Sequence, residues 1–318
     1  MPTRPADFRT TALMVLGLVL PGREVAVARP TPAPGERRVA VAPAETLSVS
    51  GGAVGMTRGD VAVLLLPGPV GSAFSMRSVV RGLQARGIEP FVIDPLGMGA
   101  STRPKGADYT LSAQAARIGR VLEKELPAGV PVIVAAQGTS ATIAFHLAAT
   151  DTSRIGGVIS IAGGPIDQQG TPGVRTALTF AALLDNPIGR GFAKRRFVSA
   201  LRDQSADDRW LTDEVVKQYV APIEHDLRGL LRTLGAMQAA VEPFPIASRL
   251  ARITVPVRLL VGDKPSASAP SAAQVLMLQR HVPRFALDTL RPGGTMLHEE
   301  RAADVARAID EMVRGARR

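Results

Sequence analysis

The sequence predicts an α/β fold, a mostly parallel sheet flanked by helices, with a helical insertion before its last strands. Three observations carry this. Short apolar runs alternate with stretches of helical periodicity from Val61 to Ala162, as in a parallel sheet with crossover helices. The alternation lapses after Gly163-Gly164-Pro165 for about ninety residues that contain segments of helical periodicity. It resumes at "VPVRLLVGD", Val255 to Asp263, with one more helix, strand and helix behind it.

Each element follows from its own residues. Val61 to Leu66 is an unbroken β-branched and leucine run closed by Pro67-Gly68, the pattern of a strand buried on both faces. Ser75 to Arg86 carries Met76, Val79, Val80 and Leu83 at helical spacing, and Phe91 to Asp94 is the next strand. Leu111 to Leu126 places Ile118, Val121 and Leu122 on one helical side, with charges opposite. Val130 to Ala135 reads as a strand, Thr139 to Ala149 as a helix, and Val158 to Ala162 as a strand. Within the insertion, Val174 to Leu184, Phe192 to Leu201 and Leu227 to Ala240 have helical periodicity. Beyond Asp263 come a helix at Ser271 to Gln279, the strand Phe285 to Leu290, and a last helix with Val305, Ile309 and Met312 on one face.

The N-terminal segment has the pattern of an address. Arg4 and Arg9 precede the apolar run Thr11 to Leu20, and Ala26-Val27-Ala28 supplies a small-x-small cleavage site, so residues 1–28 are expected to be a signal peptide cleaved after Ala28. The mature protein is then expected in the periplasm or outside the cell. Residues 29–38 form a stiff proline-rich lead-in. The core is expected at 39–165 and 253–318, with a helical cap at 166–252.

Composition excludes several chemistries. The 318 residues contain no cysteine, which removes disulfides, thiolate metal sites and cysteine nucleophiles. The four histidines show no ligand spacing, so no metal and no cofactor are expected. With 38 basic against 28 acidic residues the formal charge is +10, yet no basic run exceeds three residues and aromatics are only 4%, which argues against a nucleic-acid partner. The charge leaves open a peripheral contact with an anionic membrane surface.

Three stretches carry a family resemblance: "LLLPGPVGSAFSMRSVVRGLQARG" at 64 to 87, "FVIDPLGMGAST" at 91 to 102, and "VIVAAQGTSATIAFHLAA" at 132 to 149. With them the chain resembles the α/β-hydrolase superfamily, in particular the cap-bearing branch of epoxide hydrolases, haloalkane dehalogenases and cofactor-free oxygenases. Asp94, Gly97, Gly99 and Ser101 match that family's Asp-x-x-Gly-x-Gly-x-Ser turn. The resemblance implies a nucleophile on a sharp strand-to-helix turn, a following acid, a histidine before the last helix, and a backbone oxyanion hole.

This chain departs from the family at each of those places. The nucleophile position holds Gly138 in Ala136-Gln137-Gly138-Thr139-Ser140, and the histidine position holds Thr295. The acid position falls on Lys264 or Pro265, and the oxyanion donor position holds Pro69, which has no N–H. Ser140 as a relocated nucleophile, His298 as a displaced base and Asp263 as an orienting acid are the fallback candidates, with Asp167 as an alternative acid. Thr139 and Ser140 are otherwise expected to cap the helix. Hydrolysis by a Ser/Asp-His-Asp triad is therefore not expected. The leading expectation is a non-catalytic exported homologue, a pseudo-hydrolase, whose capped pocket binds a small apolar molecule or another protein. Val70, Gln137, Thr139, Trp210 and Thr295 are expected to touch that ligand, with Phe180, Phe192, Trp210 and Tyr219 as cap lining. Two alternatives stand beside it: an enzyme reusing the pocket for lyase, isomerase or cyclase chemistry through Gln137, Thr139, Thr295 and Asp263, and a structural subunit of a larger complex.

Overall fold

A computed structural model describes residues 35–52, 56–57, 59–69, 71–170, 178 and 186–317. The expected signal peptide, residues 29–34 of the lead-in, Val70, Phe180 and nearly all of the helix expected at Val174 to Leu184 lie outside the described residues.

Eight strands form one sheet in the order β1-β2-β4-β3-β5-β6-β7-β8. These are β1 (Glu36–Ala42), β2 (Glu45–Gly51), β3 (Ala62–Leu66), β4 (Phe91–Asp94), β5 (Val132–Gln137), β6 (Ile155–Ile161), β7 (Val257–Gly262) and β8 (Phe285–Leu290). The pairs β1–β2 and β2–β4 are antiparallel, and all pairs from β4 to β8 are parallel. Period-two alternation divides the strands between two cores. Ala62, Leu64, Leu66, Val132, Val134 and Ala136 pack on one face, under α2 (Leu111–Glu125) and α3 (Ser140–Thr150). Val63, Leu65, Ile133, Ala135, Ile159 and Ile161 pack on the other, under α1 (Arg77–Gln84) and the last helix, Ala302–Ala316. Covered on both sides, β3 shows no exposed residue, which is why its sequence is apolar without interruption.

Within the stretch expected to be the cap, the long described helices are α4 (Pro187–Gln204) and α5 (Asp213–Ala239), followed by a single helical turn at Ala247–Leu250. Asn186 caps α4 by accepting the Gly189 N–H at 2.9 Å, with Pro187 in the first turn, where its missing N–H costs nothing. The core closes with α6 (Ala272–His281), entered through a capping box of Ser271 and Gln274, and α7 (Ala302–Ala316).

Several elements differ from the sequence expectation. Strand β1 begins at Glu36, inside the stretch assigned to the lead-in. Only Val39 and Val41 are buried along this outermost strand, too short a pattern to announce itself. Strand β6 starts at Ile155 and includes Gly156-Gly157, where a Cβ on Gly157 would meet Met312 Sδ at 2.4 Å. Glycine there lets α7 approach the sheet. Helix α5 is much longer than Leu227 to Ala240. It passes through Pro222 and breaks for one residue at Asp226 (φ −150°, ψ 61°), whose carboxylate accepts the Gly229 N–H at 2.9 Å. Asp226 thus starts the second half as a new helix, and Pro222 interrupts the helical pattern of the first half.

Candidate functional site

The site forms where β5 turns into α3. Gly138 sits on that turn at φ +57°, and its N–H donates to the Ile161 carbonyl at 2.9 Å. A Cβ placed on Gly138 would find nothing closer than Pro69 Cδ at 3.9 Å. Glycine is favoured here by conformation and not by lack of space. Gly163 does need space: its Cβ would fall 2.0 Å from the Gly138 carbonyl oxygen, so two backbones meet there without side chains.

Ser140 is fully buried, and its hydroxyl donates to the Pro67 carbonyl at 2.6 Å. That bond ties α3 to the 67–71 loop and holds the hydroxyl away from the turn. The expected capping role does not materialise either. Thr139 is already in right-handed helical geometry and makes no cap hydrogen bond, and its buried Oγ1 has no partner. In the facing loop, Gly71 N–H donates to Gly68 O at 2.9 Å, closing a turn around Pro69. Gly68 lies against Gln137, whose Oε1 would stand 1.8 Å from a Cβ on that glycine.

Thr295 is buried and held at both ends by the C-terminus of α4. Its N–H donates to Gln204 O at 2.8 Å, and its hydroxyl reaches Gln204 Oε1 at 3.2 Å. The same loop is fastened by Asp263, whose carboxylate accepts the Gly293 N–H at 3.0 Å, and by Glu300, which accepts the Gly294 N–H. Lys264 donates to Ser205 O at 2.6 Å, and Pro265 beside it is exposed. Asp263 is thereby a loop clasp, and Asp167 is another, accepting the Ile246 N–H at 2.6 Å.

His298 is fully buried, with Nδ1 unpartnered. Burial, reinforced by the Arg77 charge, pushes its pKa down to about 3, so it stays neutral at ordinary pH. Next to it stands a cluster that no local pattern in the sequence announces. Tyr219 donates its hydroxyl to Glu299 Oε1 at 2.6 Å, and Arg77 donates to the same oxygen at 2.6 Å. Arg77 also lies over the Phe74 ring, 4.2 Å from its centroid. Burial raises the Glu299 pKa against the pull of Tyr219 and Arg77, and its Oε2 has no partner. Burial and the Glu299 charge push the Tyr219 hydroxyl up in turn.

Tyr219 and Phe74 line a small cleft with Pro69, Gly71, Gly99 and Arg103, of about 30 Å³. Of the residues expected to contact a ligand, Gln137, Thr139, Trp210 and Thr295 are not on its wall, and Val70 lies outside the described residues. Trp210 instead donates to Ser205 Oγ at 3.1 Å and packs on Tyr219 at 5.7 Å between ring centroids. Phe192, another expected lining residue, is half exposed on the outside of α4.

The Asp94 turn does what its sequence implied. Ser101 Oγ donates to Asp94 O at 2.5 Å and accepts the Ser48 N–H at 2.8 Å, locking β4 to β2. Gly99, at φ +47°, lets the backbone close on the carboxylate, since a Cβ there would be 1.9 Å from Asp94 Oδ2. That carboxylate accepts the Ala100 N–H at 2.9 Å, its other oxygen is unpartnered, and burial pushes its pKa up to about 7.

An alpha/beta hydrolase family model matches residues 63–308. No curated protein matches the chain. Among solved structures, it is similar to wild-type Cfl2 of Burkholderia cenocepacia, at 21% identity and TM-score 0.67, over 87% of this chain and 94% of that one. The haloalkane dehalogenase DbeA of Bradyrhizobium elkani USDA94 matches at 21% identity and TM-score 0.65, over 88% and 98%. A putative lipase of Acinetobacter baumannii AYE matches at 15% identity and TM-score 0.69, over 88% and 91%. At these identities the likeness is one of fold.

Proposed function

The chain belongs to the alpha/beta hydrolase family, and we propose that it is a non-hydrolytic member whose retained fold serves recognition of a partner and not turnover of an ester. The observation that carries this reading is Gly138, a residue without a side chain at positive φ on the turn between β5 and α3. Its surroundings agree. The nearest hydroxyl in sequence beyond Thr139, that of Ser140, is committed to Pro67, and Thr295 is committed to Gln204. The neutral, buried His298 has the wrong proton affinity for a general base, which works best near the operating pH. Pro69 cannot donate to an oxyanion.

Among the described residues, the small cleft beside Pro69 supports a protein partner over a small apolar ligand. Its volume of about 30 Å³ compares with several hundred Å³ for sites that enclose an organic molecule.

Steady-state assays with p-nitrophenyl acetate, butyrate and octanoate test the proposal. No saturable turnover is expected from the protein, nor from Gly138→Ser, because the new hydroxyl has no base beside it. The Gly138→Ser variant is expected to fold and to lose about 1 kcal/mol, the cost of a side chain at positive φ with room around it. Turnover by the unmodified protein that saturates and disappears in Ser140→Ala would overturn the reading.

A further inference from the structure

We propose that the outer face of α4 docks the protein onto an anionic lipid surface. This holds whether or not the family chemistry is retained, because the face concerned is the opposite side of the cap helix from the Thr295 loop contacts.

Helix α4 has two faces. Ala193, Phe197 and Leu201, at four-residue spacing, pack inward with the rest of the core. Ile188, Phe192, Arg195 and Ser199 fall on a common outer stripe, because steps of four and three residues return to nearly the same side of a helix. Ile188 is 84% exposed and Phe192 51%, unusual values for side chains of this size on an ordered helix. Arg195 and the adjacent Arg196 are both exposed, and neither has an ion-pair or hydrogen-bond partner among the described residues. Lys194, by contrast, turns sideways to pair with Glu224 of α5, while the inward packing of Ala193, Phe197 and Leu201 sets the rotation that leaves the stripe outward. Further along the helix the cationic character ends, because Arg202 pairs with Asp208 at 3.7 Å and Asp203 beside it is exposed, so the positive charge is concentrated at Arg195 and Arg196.

Two protruding apolar anchors followed by unpaired arginines are the composition of a helix that lies in a membrane interface, its apolar side chains among the acyl chains and its cations among the phosphates. A protein partner would call for a different surface. Stable protein interfaces bury roughly 800 Å² per side around an apolar centre depleted of charge, whereas here unpaired cations share the stripe with only two large apolar side chains. The formal charge of +10 adds a general attraction toward a negative surface, on which the α4 face supplies the orientation. No described helix is long and apolar enough to cross a membrane, so the contact proposed is with the surface.

Co-sedimentation of the purified mature chain, its N-terminus read by intact mass, tests this with vesicles of phosphatidylcholine alone and of phosphatidylcholine mixed with phosphatidylglycerol. The protein is expected to bind the mixed vesicles and not the neutral ones. Arg195→Glu with Arg196→Glu should weaken binding about twentyfold or more, since each basic side chain at such a surface contributes roughly a fivefold factor. Phe192→Ser should weaken it several-fold with no change in net charge. The control is Arg280→Glu with Arg284→Glu, which changes the charge equally at exposed positions away from α4. Thermal melts confirm that each variant is folded. Equal binding to both vesicle types, an equal loss in the control, or sedimentation without vesicles that Phe192→Ser abolishes would each overturn the proposal, the last by showing that the face joins copies of this chain.

Discussion

Between about pH 4 and 6.5 the stability of the protein should be nearly flat, with Asp94→Asn and His298→Gln tilting it in opposite directions. Asp94 is buried, and its pKa is pushed up from 3.8 to about 7. In that window the folded state holds a proton that the unfolded state has lost, so this group's contribution is full below pH 4 and is lost as pH rises to about 7. His298 is pushed down from 6.5 to about 3, which reverses the sign. The unfolded chain takes up a proton that the folded one refuses, so this contribution is full above pH 6.5 and is lost as pH falls toward 3. Glu299, raised, and His146, lowered, add to the two sides. Each slope approaches about 1.4 kcal/mol per pH unit, and together they nearly cancel.

The asparagine side chain of the first variant would resemble the protonated acid and remove the falling slope. Asp94→Asn should therefore gain about 4 kcal/mol relative to the unmodified protein between pH 4 and 8. His298→Gln should instead lose stability as pH rises through the same range. Urea unfolding at half-unit pH steps reads both slopes, independently of any packing cost of the glutamine. Parallel curves for all three proteins would show that neither group titrates abnormally.

Glu299→Ala is expected to cost about 3 kcal/mol, whereas Glu299→Gln should cost about 1. The carboxylate is fully buried and receives both the Arg77 guanidinium and the Tyr219 hydroxyl on one oxygen. Alanine leaves a largely covered guanidinium and a buried phenol without that partner, and the penalty of the abandoned groups dominates. Glutamine keeps an acceptor at the same place, and its amide nitrogen takes the position of Oε2, which has no partner to lose. Arg77 is about one-fifth exposed, which puts the alanine cost at the low end for a broken buried pair. Denaturant midpoints for the two variants decide this. Equal and small losses would mean that the cluster contributes little to holding Tyr219 of the cap against the start of the last helical segment.

Much of the architecture was legible because it is written in short-range pattern. The apolar run at Ala62–Leu66, the four residues of β4 and the Asp94-Gly97-Gly99-Ser101 turn each declare themselves within a dozen residues, and the structure shows why. Burial on both faces demands the first two, and a backbone closing on a carboxylate demands the glycines. Gly138 was equally legible, as a turn requiring positive φ. What stayed hidden depends on distance or on interruption. Arg77 and Glu299 are 222 residues apart, and Tyr219 and Glu299 are 80, so nothing local marks them as one cluster. The first half of α5 was masked by Pro222 and by the break at Asp226. Thr139 and Ser140 suggested a cap by residue type, but Thr139 enters the N-cap position with helical dihedrals and no side-chain bond, and Ser140 is held against Pro67.

Intact mass after incubation with an excess of a fluorophosphonate tests the central claim most directly, because this probe forms a covalent bond with any serine that is activated as a nucleophile, whatever the natural substrate. The account predicts an unchanged mass, since Gly138 has nothing to label and the Ser140 hydroxyl is held by the Pro67 carbonyl. A single stoichiometric adduct mapping to Ser140, or to any other serine of the chain, would contradict it and restore the protein to the catalytic members of its family.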